Sequence, residues 1–342
     1  MKSQNGKQPI TPERIMQFMW GYAPPLILEA AVRHRVFDVL DNGPATVGQL
    51  SKETGASVRG LRAVMNTLVG LELLARDEQG RYSLTPESAT YLVRGKPDYR
   101  GGMLTHTSTH LLPKWMQLAE IVRTGNPAAA VNREHEGAAF FEQFVEDLFP
   151  FNYATAQTLA SVVGVAEAKK PVRVLDLAAG SGVWGIALAQ KSPQVRVTAV
   201  DWPSVLAVTR RVAERQGMAD RFQFVAGDMH DVDFGSGHDI AIFGHILHSE
   251  GTERSRKLLQ KAFTALAPRG TAVIAEFLVN EERTGPPTGL IFGVNMLVNT
   301  DEGDTFSFGE IRRWLEEAGF RGARTIECPG PSPLILATKP AA

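Results

Sequence analysis

Residues 172–189 read VRVLDLAAGSGVWGIALA. Val172, Val174 and Leu175 make a short apolar run rich in β-branched residues, which predicts a buried strand. Asp176 stands near its end, the chain turns through Gly180, Ser181 and Gly182, and Ile186 to Ala189 continue as a helix. Strand, glycine turn and helix form the opening unit of an α/β nucleotide-binding sheet. Ligands of such sheets sit beyond the carboxyl ends of the strands.

Gly180, Gly182 and Gly185 also satisfy G-x-G-x-x-G, so a dinucleotide has to be weighed. Glycines serve either ligand, because a Cβ there would hold the backbone away from it. Asp176 separates the two. A pyrophosphate on a helix N-terminus disfavours a fixed negative charge beside it. S-adenosylmethionine, with a sulfonium, an ammonium and no phosphate, favours one.

The chain has 342 residues, 44% of them hydrophobic, enough for two domains with cores of their own. A net charge of -1 argues against a protein built around nucleic acid. Cys328 is the single cysteine, so no internal disulfide is possible. The polar start MKSQNGKQPITPER lacks an apolar signal core, and no window approaches the roughly 18 apolar residues of a membrane span. A cytoplasmic protein is expected.

Residues 1 to about 12 read as a disordered lead, and Pro12 can open a helix through Ile15, Phe18 and Met19. Leu26 to Leu40 read as one helix with a broad apolar face, ended by Asn42-Gly43. Helices from Thr46 and around Leu61 to Leu68, then two short strands about a turn at Gln79-Gly80, describe a winged helix. Such a module either binds DNA or dimerises. Arg59 and Arg62 are too few for a basic footprint, and the wide apolar face needs a partner surface.

Residues 100–165 are helical and aromatic-rich. They serve as a connecting core, or as a wall of the acceptor pocket through Met103, His106, Trp115, Phe141 and Phe144. Beyond the glycine turn the α/β alternation continues. VRVTAVD ends at Asp201, 19 residues past Gly182, where a carboxylate commonly accepts ribose hydroxyls. Further strands end at Asp228 and near His248, a fifth, TAVIAEFLV, holds Glu276, and RTIECPGPSPLILATKP reads as a final strand pair.

With these motifs the chain resembles the class I S-adenosylmethionine-dependent O-methyltransferases of the dimeric plant caffeate and bacterial small-molecule type. The likeness rests on VLDLAAGSG, AVDWP, GDMHD, ILHSEG and APRGTAVIAEF in the family's order. It implies a Rossmann-like, seven-stranded methyltransferase domain, α/β in class, behind an all-α winged-helix dimerisation domain. Residues 1–98 would be the dimerisation domain, 99–165 a helical linker and substrate-pocket segment, and 166–342 the donor-binding catalytic domain. By the same resemblance Asp176, Gly180 and Gly182 line the methionine part of the donor, Asp201 holds the ribose, and Trp202, Asp228 and Met229 take the adenine. Phe243, Gly244 and Tyr153 are further candidates at the donor. The alternative for Asp201 and Asp228 is a helix N-cap after a strand.

His248 matches the family's general base and Glu276 the acidic residue that steadies it, converting a hydroxyl into a competent nucleophile. His245, Phe292 and Met296 join the acceptor-pocket candidates, and His106 and His110 could also handle protons. Where relatives often carry an aspartate and an aromatic after the histidine, this chain has Ser249, Glu250 and Gly251; Asp304 or Thr305 stands where a second glutamate is usual. A sulfur, nitrogen or carbon acceptor therefore stays open beside oxygen. No metal site is expected, since the strand ends lack clustered carboxylates. The reading is a homodimeric methyltransferase of a small metabolite, releasing S-adenosylhomocysteine, with neither nucleic acid nor membrane as partner.

Overall fold

The computed structural model describes residues 10–330 and 332–341; most of the lead expected to be disordered lies outside them. The chain divides into two compact units, the first ending at His110 and the second starting at Leu111, so the segment 99–165 is shared between them.

In the first unit, helices Glu13–Met19, Ala23–Arg33, Val36–Leu40, Val47–Thr54 and Val58–Gly70 accompany a three-stranded antiparallel sheet. The sheet combines Ala45–Thr46 with the wing strands Leu74–Arg76 and Arg81–Leu84. Thr46 starts its helix through a capping box, accepting the Gln49 N–H while the Gln49 side chain accepts that of Thr46. Leu50, Leu61, Met65, Leu68, Leu74 and Tyr82 close the core. The single helix expected over Leu26 to Leu40 is two. Arg35 adopts a left-handed backbone, φ 57°, and breaks it after Arg33. Ile15, Phe18, Met19 and Trp20 of the opening segment are each about two-thirds exposed.

The second unit holds a seven-stranded sheet. Its strands are β1 Val172–Leu177, β2 Val195–Asp201, β3 Phe222–Ala226, β4 His238–Gly244, β5 Leu266–Ala275, β6 Arg321–Ile326 and β7 Leu334–Thr338. They lie in the order β6-β7-β5-β4-β1-β2-β3, all neighbours parallel except at β7, which runs antiparallel to both β5 and β6. Central strands are apolar nearly throughout, as a sheet covered on both faces requires. The chain steps outward from β1 to β3 and returns to β4 on the other side of β1. That reversal opens a crevice at the carboxyl ends of β1 and β4. Among the described residues no helix is long and apolar enough to cross a membrane.

Candidate active site

Asp176, fully buried on β1, accepts the Gly185 N–H at 3.0 Å through Oδ2, while Oδ1 is buried without a hydrogen-bond partner. Burial, with Asp201 adding like charge, pushes its carboxyl up to about 7 against the pull of the Gly185 bond. Gly180 and Gly182 take positive φ, 56° and 73°, and lead into the helix Val183–Lys191. One N–H donor at that helix start is thus claimed by a carboxylate, and the acid beside it disfavours a pyrophosphate there. The orphaned oxygen suits an ammonium or sulfonium instead.

Asp201, at the end of β2, accepts the main-chain N–H groups of Gly180 (2.9 Å) and Trp202 (2.8 Å). Burial raises its carboxyl to about 6, although those two bonds favour the charged form. The Trp202 ring lies 6.2 Å from Phe141. Asp228 follows β3 and accepts the His230 N–H at 2.8 Å, so it organises its own turn; Met229 packs against the core beside it.

His248 is not at a strand end but in the first turn of the helix Leu247–Ala265, which Gly251 interrupts with φ 68° and ψ 179°. Glu276 lies one residue past β5. Its Oε2 is 2.7 Å from His248 Nδ1 and its Oε1 accepts the His248 N–H at 3.2 Å, all in buried surroundings. Burial alone would raise the Glu276 carboxyl; the His248 charge and hydrogen bonds outweigh it and hold it below the usual range. His245 sits in the left-handed region, φ 60°, and burial pushes its imidazole down to about 4, leaving it neutral. Its Nδ1 is buried and unpartnered. Donor atoms of His245, His248 and Glu276 lie within 4.8 Å of one another.

Phe292 meets His248 edge-on at 4.9 Å and lies 4.2 Å from Phe277, whose ring is 5.2 Å from His245. Trp184 lies 6.2 Å from His245. Imidazole and aromatic surface therefore share one wall, with Met296 buried on the Phe292 helix Pro287–Asn299. Trp115 donates from Nε1 to Asn295 of the same helix at 3.0 Å. Phe277 and Trp184 carried no signal in the sequence beyond their apolar surroundings.

Other expected residues make contacts of their own. Phe243 points into the core with no exposure, leaving only its main chain at the sheet edge. Tyr153 bonds Gln190 at 2.7 Å. Gln190 stands eight residues past Gly182, about 12 Å along the helix, which takes the hydroxyl away from the glycine turn. Asp304 accepts Arg283 Nη1 at 2.9 Å and the Thr305 N–H at 2.7 Å, while its own N–H donates to the His248 carbonyl at 2.9 Å. It braces the main chain of His248, and its carboxylate is engaged by Arg283. Met103 and His106 belong to the first unit, where His106 is buried with its ring 5.0 Å from His110. Phe144 is buried, its ring 5.7 Å from Phe140.

This strand order, with a carboxylate under a glycine turn, defines a class I S-adenosylmethionine-dependent methyltransferase. The chain belongs to the O-methyltransferase family: residues 115–321 match the O-methyltransferase domain and residues 16–94 the O-methyltransferase dimerisation domain. It is 32% identical to 3-hydroxy-5-methyl-1-naphthoate 3-O-methyltransferase of Streptomyces sahachiroi, over 91% of each chain. A solved O-methyltransferase candidate from Nostoc punctiforme superposes with a TM-score of 0.88 at 29% identity, covering 97% of this chain and all of that one. Human N-acetylserotonin methyltransferase, solved with SAM, shares the fold at a TM-score of 0.86 and 23% identity, covering 98% of this chain and all of that one.

Proposed function

We propose that the enzyme methylates a hydroxyl oxygen of a small aromatic metabolite, with His248 as general base and Glu276 as the residue that orients it. One observation carries the reading: a buried imidazole held by a carboxylate at 2.7 Å has an aromatic ring against it at 4.9 Å. With Nδ1 bound to Glu276, Nε2 is left for the acceptor's proton, and the carboxylate favours the imidazolium that results. The donor, when bound, supplies a sulfonium methyl for in-line displacement, and alignment of acceptor oxygen with that methyl contributes much of the rate.

We assign the methionine end to Asp176, Gly180 and Gly182, the ribose to Asp201, and the adenine to Trp202, Asp228 and Met229. Phe277, Phe292, Met296, Trp184 and the neutral His245 form the acceptor wall. Flat apolar rings suit a flat acceptor, and the naphthoate named for the Streptomyces relative is of that chemistry. The exposed apolar segment Ile15 to Trp20 and the dimerisation-domain match support a homodimer. The single, half-buried cysteine suits a reducing compartment, and we place the enzyme in the cytoplasm.

The test is a screen of phenols, hydroxy acids and thioethers with labelled donor, run on wild type and His248→Ala. Loss of at least about 100-fold in O-methylation supports the base. O-methylation within a few-fold of wild type in the variant would refute it, and turnover of thioethers alone would move the acceptor to sulfur.

A further inference from the structure

The turn carrying His248 reaches in two directions. Its first two residues are held at several points: Glu276 binds the His248 ring and N–H, the Asp304 N–H donates to the His248 carbonyl, and Ser255 Oγ, from the helix beyond Gly251, donates to the Leu247 carbonyl at 3.1 Å. Glu250, the last residue before the break at Gly251, points the other way. It is 2% exposed, and its Oε2 accepts from His230 Nε2 and from Arg254 Nε, each at 2.6 Å. His230 belongs to the Asp228–Met229 turn. The same helix grips that turn again through Lys261, whose ammonium donates to the carbonyls of Met229 and His230, both at 2.9 Å.

The helix beyond Gly251 therefore holds the Asp228–Met229 turn through Lys261 and the short turn of His248 through Ser255, and the Glu250–His230 hydrogen bond is a direct side-chain link between the two turns. Glu250 is also one of the residues by which this sequence departs from the pattern it resembles. A buried carboxylate there is costly unless both hydrogen-bond partners stay in place, so the contact restricts where the two turns can stand relative to each other.

We propose that Glu250 and His230 form a strut that couples occupancy of the adenine side of the donor site to the placement of the His248 turn. Glu250 is a positioning residue, touching neither donor nor acceptor. The inference rests on the assignment of Asp228 and Met229 to adenine. Donor binding orders the Asp228–Met229 turn, and the strut carries that order to the backbone that holds the base.

Binding of S-adenosylhomocysteine and hydrogen exchange of residues 245–252 test it, on wild type, Glu250→Gln, Glu250→Leu, His230→Leu and the double leucine variant, with thermal melts to verify folding. Gln still accepts from His230, so Glu250→Gln should bind within about threefold of wild type. Either leucine variant should lose about tenfold, and the double variant no more than one single, because both remove the same link. In wild type, ligand should slow exchange across 245–252; in the leucine variants that slowing should vanish even at saturation. If Glu250→Leu misfolds, His230→Leu carries the test, since it leaves the Glu250–Arg254 pair intact. Unchanged slowing in a folded leucine variant, or additive losses in the double variant, would overturn the strut. Failure of wild type to bind S-adenosylhomocysteine at all would instead overturn the donor-site assignment.

Discussion

Glu276 holds His248 at two points, the ring Nδ1 at 2.7 Å and the main-chain N–H at 3.2 Å. The first bond sets the tautomer and the second sets the turn. Glu276→Gln keeps an acceptor oxygen for only one of them, turns an amide NH2 toward the other and loses the charge that favours the imidazolium, so kcat should fall by about 10- to 100-fold with KM for the acceptor little changed. The Glu276 carboxyl lies below its ordinary range, so its stabilising effect is present above about pH 4.5 and is lost as pH falls through the lower folded value. Steady-state kinetics on the variant checks the first expectation, and denaturation midpoints between pH 3 and 6 the second. A kcat within twofold of wild type would leave His248 without need of its carboxylate.

Asp176 makes donor binding pH-dependent. Burial raises its carboxyl to about 7 in the free protein, so the group is roughly a tenth ionised at pH 6 and nine-tenths at pH 8. Only the anion attracts the donor's ammonium and sulfonium. Donor affinity should therefore drop about tenfold from pH 8 to pH 6, with a proton released on binding near neutral pH. For stability the sign is opposite. Between about pH 4 and 7 the folded state binds this proton and the unfolded chain does not, so this group's contribution weakens as pH rises. Calorimetry in buffers of different ionisation enthalpy reads the proton directly, and Asp176→Asn should bind weakly with a flatter pH profile, whose remaining slope near pH 6 belongs to Asp201. A flat affinity profile in wild type would remove Asp176 from the ammonium site.

The α/β frame was legible because its signals are local. The apolar runs of β1, β2 and β4 and the glycines after β1 each announce themselves within a few residues. Orientation was not. In β4, residues facing both sides are buried, so alternation could not say that Phe243 turns inward. Arg35 and His245 take left-handed backbone without the glycine that usually marks it. The wall of Phe277, Phe292 and His245 joins the end of β5, a later helix and the end of β4, contacts that no local spacing encodes. Gly251, which places His248 on a turn of its own, reads as an ordinary helix glycine until its φ is known.

Asp304 should prove a brace. Its carboxylate is shared between Arg283 and the Thr305 N–H, and only its main chain touches His248. Asp304→Asn retains acceptor oxygen for one of these bonds and should lower kcat by less than about fivefold, against 100-fold or more for His248→Ala. Arg283→Ala should do more damage than Asp304→Asn, because Arg283 also grips Glu310 and the Thr305 carbonyl. Parallel kinetics on the three variants decides it. A 100-fold loss in Asp304→Asn would make it a second member of the proton-transfer machinery.

Gly185 joins the stability of the sheet to the donor site. A Cβ on it would come within 2.7 Å of Val197 Cγ1, 3.0 Å of Phe222 Cζ and 3.1 Å of Asp176 Oδ2. Alanine gains about 1 kcal/mol in helix propensity over glycine, but overpacking a closed contact between helix and strand costs about 1–3 kcal/mol. The steric cost wins here because Val197 is buried in β2 and cannot retreat. Three contacts at 3.1 Å or less put the cost at the upper end, about 2–3 kcal/mol, so Gly185→Ala should be destabilised by about 1–2 kcal/mol, read as a lower urea midpoint at unchanged m. The Cβ also presses on the carboxylate that the Gly185 N–H holds, so S-adenosylhomocysteine affinity should fall with it. A variant as stable as wild type would show that helix and strand part easily at this point, and the tight approach under the glycine turn would then not be what positions Asp176.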